Sequence, residues 1–332
     1  MGPSKSADLA RALAVSDASA LRFLQEAAAE VLQAGQARRR RYAVRRALRG
    51  TSGPMPLFAV GDDGQVTQAG ELALVQPQGS WLALDNRIWP LPPESTDGWW
   101  EGLPYPLLDM RPQGYMGRQL ATQVHDAMGV STDPRQWSDD DVVLVMLHFG
   151  ADLQGHLILG ERALRLWQQQ RVLDTPPLAE HELAQAYPEL AARALADGAT
   201  GSSAGGEFPK FTAVRQGPAG SATPHVIVKF SGAGGSAAEQ RWADLLLCEH
   251  HAAQALASMA DQTVARTRIL QTAGRTFLEV ERFDRVGRWG RKPLLSLATA
   301  DAGLIGARTS EWPALLRRLL ALKLCDEVTV AA

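Results

Sequence analysis

The sequence holds two cysteines, Cys248 and Cys325, and a single asparagine, Asn86, in 332 residues. So few thiols exclude a disulfide framework. Both cysteines lie in leucine-rich runs that read as helices, where buried free thiols in a reducing cytosol are expected. No apolar run approaches the roughly 18–20 residues that a membrane-spanning helix needs. Lys5 near the N-terminus is not followed by an apolar stretch and a small-residue cleavage site, so no secretory signal is expected. No segment repeats.

What is present is an ordinary globular composition, 45% hydrophobic and 21% charged. The length calls for two or three cores. The net charge of −2 conceals an asymmetry: residues 1–50 carry ten basic and four acidic residues, and the remainder carries 24 basic against 32 acidic. A basic head on an acidic body points to a polyanion as the partner of the head, not of the whole chain.

Within the head, Leu9, Ala12 and Leu13 fall at helical spacing over Ala7–Ala14, and Val15-Ser16-Asp17 makes a turn with capping chemistry. A second helix follows over Ala18–Ala29, its apolar face built from Leu21, Leu24 and Ala28. A short strand near Glu30–Gln33, a turn at Ala34-Gly35-Gln36 and a returning strand Arg40–Arg45 complete the segment. Helix, turn, helix and a basic hairpin is the order of a winged helix-turn-helix domain over residues 1–50. In such a domain the second helix enters the major groove, which makes Ser19, Arg22 and Gln25 the candidate base contacts. Arg38, Arg39, Arg40 and Arg41 on the wing would meet phosphates. Three polar side chains are a thin set for reading bases, so contact chiefly through phosphates is expected. The plainer alternative is a solvated, arginine-rich strand.

Residues 50–56 are a linker by composition, followed by short strands and a Pro- and Trp-rich stretch from Trp89 to Met110. Helical segments occupy much of 117–196, and Asp139–Asp141 reads as the acidic first turn of a helix, not as a metal site. From about residue 197 the texture changes. A Gly/Ser loop, Gly198–Gly206, leads into Lys210–Arg215. An apolar strand His225–Phe230, a Gly-rich turn, a long helix from about Ala237 to Ala260, and strands Thr267–Gln271 and Arg275–Glu281 follow.

In block 198–285 a glycine-rich turn between strands can bring backbone N–H groups close to phosphates. Lys229, late in its strand, can reach them as a point charge. Glu239 near the start of the following helix is a candidate ion-pair partner for that lysine, with Glu249 as a rival. The strand ending at Glu281 offers backbone groups to an adenine edge. This order is the N-lobe logic of protein kinases. Taken singly, each part has a bland reading: a connecting loop, a lysine snorkelling to solvent, a surface glutamate.

The segment Val280-Glu281-Arg282-Phe283-Asp284-Arg285, with His225–Lys229 before it, resembles the hinge region of the HipA family of bacterial serine/threonine kinases, the toxins of toxin–antitoxin pairs. Ser203-Ala204-Gly205-Gly206-Glu207-Phe208-Pro209-Lys210 resembles that family's phosphate loop, apart from its Phe-Pro pair. Leu108–Gly114 and Ile305–Pro313 look like the YjjJ-type branch, which fuses a winged helix to the kinase. The resemblance implies that Ser203 (or its neighbour Ser202) is an autophosphorylation position. It further implies that Gly205, Gly206, Lys210 and Lys229 approach phosphates, and that Glu281 and Phe283 contact adenine. ATP and Mg²⁺ are the implied cofactors. A cognate antitoxin and a protein substrate are implied partners.

The family's Asp-x-His-x-x-Asn catalytic loop is missing from this sequence. After Asp284 the only aspartates are Asp301 and Asp326, and the last histidine is His251. No catalytic residue and no metal ligand is therefore expected in it, because phosphoryl transfer needs a carboxylate at the nucleophile and Asn/Asp oxygens on Mg²⁺. The expectation is an α+β chain in four parts: a winged helix-turn-helix (1–50), a HipA-like N-terminal subdomain (51–196), a kinase N-lobe (197–285) and a truncated start of a helical C-lobe (286–332). It is expected in the cytoplasm, away from membranes, as an inactive kinase form with residual ATP binding. The alternative is a DNA-binding transcriptional regulator whose kinase-like body is an interaction domain.

Overall fold

Ser16 begins the structure of the basic head as an N-cap: its hydroxyl accepts the Ser19 N–H at 3.2 Å and starts helix α2 (Asp17–Glu26), which follows α1 (Ser6–Leu13). A computed structural model of the chain describes residues 2–36, 39–50, 53–196, 207–259, 264–307 and 311–325. Strands β1 (Val31–Ala34) and β2 (Arg41–Val44) pair antiparallel, Leu32 opposite Ala43. Their period of two turns Leu32, Ala34 and Ala43 inward, where they meet Ala73, Val75 and Trp99 in one core.

That shared core places the hairpin in a compact unit made of Met1–Phe58, Gln68–Asp109 and Leu295–Arg308. Its sheet runs in the order β6–β5–β4–β3, from strands β3 (Met55–Val60), β4 (Val66–Leu74), β5 (Ser80–Trp81) and β6 (Trp99–Trp100). Trp99 and Trp100 are buried packing residues, and Trp100 donates its indole N–H to the Leu82 carbonyl at 3.0 Å. Helix α3 (Tyr105–Asp109) ends in a buried carboxylate that accepts the Ser296 N–H at 3.1 Å, just before a one-turn helix at Leu297–Ala300. These units differ from the four expected segments. Leu32, Ala34 and Ala43 of the hairpin share their core with Ala73, Val75 and Trp99, so this unit continues past residue 50. Residues 295–307 belong to the unit that holds α3, where Ser296 meets Asp109.

The second unit comprises Ala59–Thr67, Met110–Leu294 and Thr309–Ala332. Its helices are α4 (Gly114–Met128), α5 (Asp139–Phe149), α6 (Glu161–Leu173) and α7 (Leu183–Ala196), with β7 (Leu157–Leu159) between α5 and α6. As the acidic run implies, α5 opens on a capping box in which Ser138 and Asp141 satisfy each other's backbone N–H groups. An antiparallel sheet follows in the order β10–β11–β9–β8, built from β8 (Lys210–Val214), β9 (His225–Phe230), β10 (Thr267–Thr272) and β11 (Arg275–Glu281). Helix α8 (Ala237–Ala257) lies between β9 and β10 in sequence. One face of the sheet sends Phe211, Ala213, Val226, Val228, Phe230 and Phe277 against Leu183, Tyr187 and Ala191 of α7. Burial of this cluster is what holds α7 to the sheet.

A tight pair, β12 (Arg285–Val286) and β13 (Gly290–Arg291), closes the segment after β11. Gly290 cannot be replaced there without a shift, since a Cβ would sit 1.9 Å from the Asp62 carbonyl oxygen. Both cysteines are free, as expected. Cys248 is exposed, however, because it lies on an outer face of α8 rather than against the sheet. No helix among the described residues is long and apolar enough to cross a membrane.

Candidate nucleotide-binding site

Register decides which side chains can meet at the sheet. Lys210 of β8 stands directly opposite Lys229 of β9, with Leu278 of β11 on the other side of Lys229. Alternation sends Val226, Val228 and Phe230 to the α7 core, so Lys210, Thr212, Ile227 and Lys229 share the opposite face. That face therefore carries two ammonium groups side by side.

Helix α8 supplies the counter-charge. The Lys229 Nζ lies 2.5 Å from the Glu249 carboxylate, with the lysine side chain 23% exposed and the glutamate 41%. The expected pairing of Lys229 with Glu239 is not found. Glu239 is the N3 residue of α8, and its carboxylate accepts the N–H groups of Gly234 and Ser236, each at 3.0 Å. The Ser236 hydroxyl, which also donates to it, and then those two N–H groups hold its carboxyl below the usual carboxylate range. Ten residues of helix, roughly 15 Å of rise, separate it from the glutamate that reaches the sheet.

Lys210 is buried at 2% exposure. Burial first, and Lys229 beside it second, push its ammonium down to about 8. Glu207 just before the strand pairs with Arg118, and with Glu249 it opposes the downward shift of Lys210. The site thus brings two lysine ammonium groups together on one face, a donor set that fits the charge of a polyphosphate.

At the end of β11, Glu281 is buried and its carboxylate accepts from Arg215 at 3.4 Å and from the Ser221 hydroxyl. Alternation along β11 puts Glu281 with Glu279 on the α7 face, opposite to Lys229, so its side chain is not an adenine contact. Its N–H is likewise committed to the Arg266 carbonyl at 2.9 Å. Phe283, at 66% exposure, is the open residue of this segment. Ser203, Gly205 and Gly206 lie outside the described residues, as does Arg38.

In the sequence the flanking charges stand out only as a motif, yet they form a buried network. Arg282 contacts Asp152 and Asp284, both at 3.0 Å, and Arg285 contacts the same two carboxylates at 2.7 Å. The available signal is the alternation of charges around Phe283; a charged run after a strand ordinarily marks a solvated turn, which hides it.

In the head, Arg22 and Gln25 are exposed on α2, and Arg39 and Arg40 are exposed before β2. Ser19 is half-buried and shares a 3.0 Å hydroxyl bond with Ser16, so it serves the cap. Arg41 lies 3.9 Å from Asp97.

Residues 202–310, which contain the lysine pair, α8 and the segment after β11, match the family model described as HipA-like C-terminal domain. Residues 51–168 match the model described as YjjJ-like toxin, middle domain. Toxin YjjJ of Escherichia coli (strain K12) is 34% identical over 330 residues, covering 99% of this chain and 71% of that protein. The chain belongs to the HipA family of toxins. The HipA-like domain places both lysines, Glu249 and Phe283 within one matched segment, while residues 1–50 precede both family models. No solved structure matches this HipA-family chain.

Proposed function

We propose that this HipA-family toxin holds ATP against the Lys210–Lys229 face of its second sheet, as the nucleotide-binding part of a serine/threonine protein kinase. The observation that carries the reading is the ion pair of a strand lysine with a glutamate on the helix packed over the same sheet, the pair that orients a phosphate-binding lysine in kinases. Lys229 and Lys210 would hold the phosphates, Glu249 would aim Lys229, and Phe283 would lie along the adenine edge. Bound ATP with Mg²⁺ would supply the phosphoryl group. The sequence contains no Asp-x-His-x-x-Asn loop and no asparagine besides Asn86. These residues alone therefore support nucleotide binding without turnover.

Calorimetric titration with ATP tests this. Lys229→Met should weaken binding roughly 10- to 100-fold, the value of one charge-assisted contact, while the helical signal stays intact. Affinity should also fall as pH rises through about 8, because Lys210 is protonated below that value and neutral above it. Absence of binding in the unaltered chain would overturn the nucleotide reading. Phosphotransfer that disappears in Lys229→Met would instead overturn only the claim of no turnover.

A second reading rests on the exposed Arg39 and Arg40 of the basic head: a winged helix-turn-helix that binds DNA, with a cognate antitoxin as a further partner. Replacing both arginines with alanine should reduce the slope of log affinity against log salt by about 2, near 0.9 for each phosphate no longer neutralised. A gel-shift series with an unchanged slope would remove the wing from the interface.

A further inference from the structure

A cavity of about 560 Å³ opens in the second unit on residues that the nucleotide reading does not use. Arg282, Arg285, Arg288 and Arg291 all line it, and Asp152 is the single carboxylate among its lining residues. Lys210, Lys229 and Glu249 take no part in it.

The charges around it do not balance. Arg282 and Arg285 are matched by Asp152 and Asp284, two cations against two anions. Among the described residues the one carboxylate paired with Arg288 is Asp174 at 3.6 Å, whose side chain is 70% exposed, and the Arg288 Nη2 donates to the Thr175 carbonyl. Arg291 is 3% exposed and has no carboxylate within 4.0 Å among the described residues. It donates one Nη2 hydrogen bond to the Ala151 carbonyl and rests over the Trp167 ring at 5.7 Å. Its Nη1 is buried without a hydrogen-bond partner, and so is the Nη1 of Arg288. Burial, with Arg285 nearby, pushes the Arg291 guanidinium well below its ordinary value. His225, which also lines the cavity, is pushed down to about 4 by burial and is neutral near pH 7, so it adds no charge. Asp152 and Asp284 act on Arg291 only from beyond ion-pair distance, and a buried guanidinium without a direct ion-pair partner is a costly arrangement that a bound oxyanion would relieve.

The remaining walls say what else the ligand carries. Trp167 and Trp289 stand edge to face, 6.4 Å apart at 90°, and both line the cavity. We propose that this cavity binds a small oxyanion-bearing molecule with a planar apolar body, its oxyanion anchored by Arg291 with Arg288 beside it, and its body against Trp167 and Trp289. The oxyanion is a phosphate or a carboxylate, since a guanidinium fork accepts either.

Thermal unfolding and tryptophan fluorescence of the whole chain, titrated with phenyl phosphate, benzoate or inorganic phosphate against sodium chloride of equal ionic strength, test this. Phenyl phosphate or benzoate should give a saturable rise in melting temperature and a change in tryptophan emission, and the stronger of the two identifies the oxyanion. Inorganic phosphate should bind more weakly because it leaves the tryptophans uncovered. Arg291→Gln should weaken the response roughly tenfold or more, and Lys229→Met should leave it unchanged, which separates this site from the nucleotide site. Should Arg291→Gln fail to fold, Arg288→Gln, on a more exposed side chain, gives the same comparison. No saturable response to either aromatic probe, or a response equal in the folded arginine variants, overturns the proposal.

Discussion

Replacing Glu279 with alanine should destabilise the second unit by roughly 3–5 kcal/mol, the usual cost of stripping one partner from a buried ion pair. Its carboxylate is 1% exposed and accepts from four donor atoms: the Tyr187 hydroxyl at 2.7 Å, Arg215 Nε at 3.0 Å, and Arg268 Nε and Nη2 at 3.1 and 2.6 Å. Without it the Arg215 guanidinium, itself 3% exposed, keeps the longer contact to Glu281 as its ion pair and a 3.5 Å bond to the Gln216 carbonyl. The Tyr187 hydroxyl would lose its acceptor inside the α7 core. Arg268→Ala should cost much less, because that side chain is 31% exposed and its other partner, Glu180, lies largely in solvent. Urea denaturation of the three proteins checks the order. Replacing Arg215 and Glu279 together with methionines should recover only part of the stability, since the buried Glu281 carboxylate then keeps the Ser221 hydroxyl but loses its guanidinium.

Asp284→Ala should have a comparable effect, again roughly 3–5 kcal/mol, for a related reason. Asp284 accepts from Arg282, from Arg285 and from the Gly155 N–H at 2.9 Å. Those arginines, with Arg291 nearby, would then share Asp152 as their remaining carboxylate. Asp284→Asn should be milder than alanine because an amide oxygen can still accept the Gly155 N–H, yet it removes the charge. Adding Arg285→Met to Asp284→Ala should restore stability in part. Equal midpoints for Asp284→Ala and the unaltered chain would show that the network contributes nothing to the fold.

Features set by near neighbours are legible along the chain. Ser16 and Asp139–Asp141 mark helix starts because capping bonds span three residues. The alternation in His225–Phe230 and Arg275–Glu281 marks the two central strands, and the order of loop, strand lysine, helix and hinge is enough to indicate the family. Both candidate glutamates for Lys229 are visible as well. A place near the start of α8 favours Glu239, but that same place gives it to the cap, and spacing along the chain cannot weigh the one use against the other.

Local hydrogen bonding and side-chain alternation thus suffice for the helix starts, the strand periodicity and the family. Packing alone assigns Glu249 to Lys229 across 20 positions. The same holds for Glu281 turning away from the lysine face, and for Asp152 meeting Arg282 and Arg285 some 130 positions later to leave Arg291 unmatched. The physical reason is that the sign and strength of an ion pair depend on distance and burial, which are set by how the elements pack rather than by where the residues fall along the chain.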